Sequence, residues 1–217
     1  MNFAPLLDFI QGHEAPKGYD QIWSGIKRAD YPAKPITKMT IREVLAWQDS
    51  IDPKYRSEAV GGFQVLEDTL RSNYLAAGLT LDSVFSPDNQ KRFAVHLLRL
   101  RGLDRYLEGS MSLEAFCNSL AKEWASLPVV TDVIKHLAGG KVITIKKGHG
   151  YYDGDGINSA YVPVEPFLDV VRAIRGPAPR PDIGEAIAPL TDNHGGFWAS
   201  FWFYVLLPLM ALFGAKK

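Results

Sequence analysis

From Phe197 to Gly214 the chain reads FWASFWFYVLLPLMALFG, without a single charged residue. A segment apolar on every helical face has to be buried, either in protein or in a bilayer. At about 18 residues it lies near the short edge of what spans a membrane as a helix. Trp198, Trp202 and Tyr204 gather toward its N-terminal side, where an interfacial aromatic belt would sit, and Lys216 and Lys217 follow it. Pro208 is tolerable in such a helix. The alternative is a buried C-terminal helix of a soluble fold. Against it stands the preceding stretch RGPAPRPDIGEAIAPLTDNHGG, rich in Pro and Gly, which reads as a semi-extended linker. The expected division is a body over 1–175, a linker over 176–196 and a transmembrane anchor over 197–214.

The body reads as mostly helical. TIREVLAWQDSI opens with Thr40 and Glu43 in a capping-box spacing, and Ile41, Val44, Leu45 and Ile51 supply an apolar stripe. SPDNQKRFAVHLLRLRG has Ser86 as N-cap and Pro87 at the first helical position. There Phe93, Leu97 and Leu100 face one way and Gly102 stops the helix. Further helices are expected from about Phe63, from Ser112 to just before Pro128, and over EPFLDVVRAI. Strand character appears only in KVITIKKGHGYYDGDGINSAYVPV, whose β-branched residues and glycines predict a small hairpin. The fold class is therefore α+β, mainly helical with one hairpin.

Several functions are disfavoured at once. Lys and Arg number 24 and Asp and Glu number 24, so overall charge gives no argument for nucleic acid. Cys117 is the only cysteine, which excludes an internal disulfide and a thiolate zinc site. It falls in or beside the stripe Leu113, Phe116, Leu120 and Trp124 and reads as a packed thiol. Asp153, Asp155 and Asn158 have the look of half a calcium loop but lack its distal Glu, so they read as turn residues. No metal and no cofactor is expected. The N-terminal MNFAPLLDFIQGHE has no basic region followed by an uninterrupted apolar one and does not read as a secretory signal.

The residue that stands out is Glu14. Leu7, Ile10 and Glu14 fall at i, i+3 and i+7, so one helical face carries two core side chains and then an acid. Either the helix frays before Gly12 and Glu14 points into water, or Glu14 is a partly desolvated proton donor. Neighbouring His13 projects about 100° away and is not its partner. After it come GYDQIWSGI, an aromatic and glycine-rich loop, and SEAVGGFQVL. In the latter, Gly61 and Gly62 would let backbone approach a ligand and Gln64 would offer an amide to hydroxyls.

Taken in order, LLDFIQGHE, GYDQIWSGI, SEAVGGFQ and KEWASLP resemble the bacteriophage lambda lysozyme family, phage endolysins with a lysozyme-like fold. The resemblance covers about residues 3–175. It implies a lytic transglycosylase acting on the MurNAc–GlcNAc β-1,4 bond of peptidoglycan, with Glu14 as the single catalytic acid. Tyr19, Glu58, Gly61, Gly62, Phe63 and Gln64 lie on the matching motifs as substrate-contacting candidates, and Tyr151, Tyr152 and Tyr161 as groove-lining aromatics. Gly62 stands where that family typically shows Arg. A hydrolytic lysozyme would need a second carboxylate. Glu58 is the candidate, and by itself it reads as a solvated loop charge. A glycan-binding module without catalysis is the rival class. The implied partner is the peptidoglycan strand. The implied place is the bacterial inner membrane, with the tail spanning it and the catalytic body in the periplasm. Oligomeric state is not legible.

Overall fold

The stretches with clear caps form helices, and each cap is made as its sequence dictates. A computed structural model of the chain describes residues 2–153 and 160–175. Helix α1 (Ala4–Glu14) carries Pro5 in its first turn and buries Leu6, Leu7 and Ile10. Helix α2 (Ile41–Ile51) carries a complete capping box: Thr40 Oγ1 accepts from Glu43 N, and Glu43 Oε2 accepts from Thr40 N at 2.7 Å. Helix α3 (Glu67–Asn73) is short. Helix α4 (Pro87–Leu100) is capped by Ser86 and ends at Gly102, whose φ of 105° is open to glycine and strained for other residues. Helix α5 (Leu103–Glu108) follows at once, and α6 (Leu113–Leu120) is capped by Ser112. Strands β1 (Val133–His136) and β2 (Val142–Ile145) pair antiparallel, Val133 opposite Ile145 and His136 opposite Val142. Helix α7 (Val164–Ile174) closes the described fold.

The α+β reading holds: the described residues form seven α-helices and one two-stranded sheet. Three boundaries differ from expectation. The helix expected from Phe63 begins only at Glu67, because Val60 and Val65 pair as an isolated bridge across the glycine turn. The hairpin's first strand is Val133–His136, upstream of the stretch with obvious strand character. The helix from Ser112 stops at Leu120, and the chain continues through turns to Pro128, which bridges antiparallel to Gly150. The expected linker 176–196 and anchor 197–214, together with Asp155 and Asn158, lie outside the described residues. Among the described residues no helix is long and apolar enough to cross a membrane.

Helix α1 packs on both α4 and α7, and α7 also packs on α6. Phe9 and Phe167 stack with ring centroids 6.2 Å apart. Phe85, Phe93, Phe116, Trp124 and Tyr106 fill the interior. Cys117 is fully buried there, and burial pushes its thiol up to about 12, so it packs as an inert apolar group. Leu100, expected to point inward with Phe93 and Leu97, is instead 57% exposed.

Candidate active site

Helix α1 does not fray before Gly12. Its last turn is held by Gln11 within the helix and by Gln21 from the loop that follows. Ala15 N–H donates to Gln11 O at 2.8 Å, Gln11 Nε2 to Ala15 O at 2.6 Å, and Gln21 Nε2 to Glu14 O at 3.2 Å. Glu14 is therefore fixed as the final residue of a helix whose inner face is core. Its carboxyl meets Ser126, which donates twice to the same oxygen, Oε1: from the backbone N–H at 3.0 Å and from Oγ at 2.6 Å. Burial raises the Glu14 carboxyl above the ordinary glutamate value, and the two Ser126 hydrogen bonds pull partly the other way. The carbonyl end of a helix also disfavours an anion, which adds to the upward direction.

Facing Glu14 is the stretch Ser57 to Leu66, held by two buried glutamines. Gln48 Nε2 donates to Glu58 O at 3.1 Å and to Val65 O at 3.0 Å. Gln90 Oε1 accepts from Gly62 N at 2.7 Å, while its Nε2 donates to Phe85 O and Tyr19 O. These contacts leave no room for a side chain at either glycine. A Cβ on Gly61 would sit 2.5 Å from Gln90 Oε1, and one on Gly62 would sit 2.7 Å from the Tyr19 ring. Glu58 is not a solvated loop charge. It is buried, and its Oε1 accepts from Glu67 N at 3.0 Å, satisfying a free donor at the start of α3. Gln64 has φ of +45°, the one such non-glycine value among the described residues. Its Nε2 donates to Gly61 O at 2.9 Å.

These walls enclose a groove of about 790 Å³, in the upper part of the usual range of ligand clefts. Of the sequence candidates, Glu14, Phe63, Gln64, Tyr152 and Tyr161 line it. Tyr19, Glu58, Gly61, Gly62 and Tyr151 do not; they pack behind it or beside it. Tyr161 is 63% exposed, and its hydroxyl donates to His13 O. Trp23 and the exposed Leu100 add apolar surface. Arg101 Nε donates to Glu123 Oε2 at 2.7 Å, so the second carboxylate in the groove is already engaged by a guanidinium. Among the described residues no group of His, Cys, Asp and Glu is placed to hold a metal.

Sequence reasoning passed over Ser126, Gln21 and the Arg101–Glu123 pair. Gln21 and Ser126 stood inside quoted motifs, but nothing local marks either as a partner of Glu14. A half-buried acid at a helix end, beside a groove lined in part by aromatic side chains, is an arrangement suited to delivering a proton to a polar ligand. A family model described as Endolysin matches residues 8–144, more than half of the chain. No curated protein and no solved structure matches it.

Proposed function

Because the chain belongs to the Endolysin family, phage enzymes that degrade peptidoglycan, we propose that it cleaves the MurNAc–GlcNAc β-1,4 bond by lytic transglycosylation with Glu14 as acid and then base. The observation that carries this reading is the Glu14 carboxyl, raised by burial and opening on the groove. Neutral Glu14 donates its proton to the glycosidic oxygen as the C1–O bond breaks. The resulting carboxylate takes the proton of the MurNAc C6 hydroxyl, whose oxygen closes on C1 to form the 1,6-anhydro ring. Glu14 ends protonated, ready for the next cycle, and neither water nor a carboxylate nucleophile is consumed. The engagement of Glu58 by α3 and of Glu123 by Arg101 supports a single-acid route over paired-carboxylate hydrolysis. Phe63, Gln64, Tyr152 and Tyr161 are the proposed sugar contacts, with the amide of Gln64 and the rings as platforms. In this reading the body is a lysozyme-like domain of the lambda type. The tail, Phe197 to Gly214, anchors it in the inner membrane, and the groove works in the periplasm.

Digestion of murein sacculi by the full-length protein tests the chemistry. Soluble muropeptides ending in 1,6-anhydro-MurNAc are expected. Ordinary reducing ends would replace transglycosylation by hydrolysis. Binding to sacculi with no released product would replace the enzyme by a glycan-binding module.

A further inference from the structure

Ser126 is an unusual partner for an acid that must keep its proton. It is 4% exposed, and the turn that carries it is fixed by Leu127 N–H donating to Trp124 O at 3.1 Å, with Trp124 itself buried. Both of its donors reach one oxygen, Oε1, at 3.0 and 2.6 Å, and neither reaches Oε2. The backbone N–H is a fixed donor, and an oxygen that accepts from it and from the hydroxyl matches the carbonyl oxygen of the neutral acid better than its hydroxyl oxygen.

We propose that Ser126 is the positioning residue of the Glu14 reaction: it reserves Oε1 as an acceptor and thereby places the transferable proton on Oε2. The proposal rests on Glu14 being the acid. One oxygen then performs both transfers. Oε2–H gives its proton to the glycosidic oxygen, and Oε2 as carboxylate receives the proton of the C6 hydroxyl. Between the two transfers the charge on Glu14 is met at Oε1 by two donors already in place. Hydrogen bonds to an ionised acceptor are shorter and stronger than those to a neutral one. The Ser126 fork therefore favours the state that exists after bond cleavage over the state that precedes it, which lowers the barrier rather than tightening substrate binding. Burial and the fork oppose one another: burial keeps the proton on before cleavage, and the fork makes its departure tolerable.

Ser126→Ala in the full-length protein removes the hydroxyl donor and keeps the backbone one. Two quantities are measured: the titration of Glu14, followed by carbon NMR of labelled glutamate and assigned with Glu14→Gln, and the pH profile of kcat on sacculi. The Glu14 midpoint should move upward and the alkaline limb of kcat should follow it. At its optimum kcat should fall by about 10- to 100-fold with KM nearly unchanged. Ser126→Thr should return both toward the wild type. Ser126→Cys, close in shape and a weaker donor, should move both in the same direction as Ala and serves where the Ala variant does not fold. An unchanged Glu14 midpoint in a folded Ala or Cys variant overturns the proposal. A midpoint that moves while the rate profile stays in place overturns instead the assignment of Glu14 as the acid.

Discussion

Glu14 in the ionised form is opposed by burial and by the carbonyl end of α1, so the residue proposed to drive the chemistry also strains the fold. The sign follows from where its proton leaves. In the unfolded chain the carboxyl titrates near its ordinary 4.5, while in the folded chain it titrates higher. Between those values the unfolded state is the one that ionises, so folded stability contributed at low pH is lost as pH rises through the folded value. Glu14→Gln cannot ionise. Its stability advantage over the wild type should be small in acid, grow by up to about 1.4 kcal/mol per pH unit across that window, and then level off. Urea denaturation at several pH values reads this directly, and a difference that stays flat contradicts the burial account. At Gly62 the strain would be steric. Gly62→Ala should cost about 1–3 kcal/mol by overpacking against the Tyr19 ring, and less in a Tyr19→Ala background. The position of Glu14 at the end of an apolar stripe was readable from spacing alone. Ser126 was not, because it lies 112 residues away and no local pattern records a partner at that distance. Glu58 misled for a related reason: a loop glutamate looks solvated until the helix start that it satisfies is seen in space.

At the scale of elements, what was legible tracked the locality of the signal. The boxes and caps at Thr40, Ser86 and Ser112 lie within three residues of their partners, and the helices begin where those residues say. Thr40→Ala should cost about 1 kcal/mol, measured by chemical denaturation, because it leaves a first-turn donor of α2 unpaired. The other half of the box is the Glu43 carboxyl, which Lys34 first, and then the Thr40 backbone, hold down to about 2, so what the carboxylate adds is present above 4.5 and is lost as pH falls through about 2. Elements specified by non-local pairing were misplaced. Val133–His136 is only half-buried and alternates with exposed residues, so its strand character comes from β2 opposite it. The turn before α3 depends on Gln48 and Gln90 arriving from other helices. Gln90→Leu should cost about 3 kcal/mol or more by stranding Gly62 N–H and the carbonyls of Tyr19 and Phe85. Its groove should lose activity together with stability, since Phe63 and Gln64 hang from the same turn.

For the whole molecule, the described fold brings the first helix and the segment after α6 together on one groove, and the sequence places an apolar tail beyond a Pro/Gly-rich stretch. If the tail spans the inner membrane with Lys216 and Lys217 inside, the body stands in the periplasm, and an extended linker of about 20 residues would reach several nanometres toward the wall. Protease added to spheroplasts should degrade the body and leave the tail in the membrane fraction. A body protected until permeabilisation rejects this orientation and indicates storage in the cytoplasm before lysis. In the proposed mechanism one proton, carried by Glu14, breaks the glycan. This step is tested most directly by comparing full-length wild type and Glu14→Gln on murein sacculi. The release of anhydro-muropeptides should fall by at least about 100-fold in a variant that folds as well as the wild type or better. Release within a few-fold of wild type by a folded Glu14→Gln protein would contradict that mechanism.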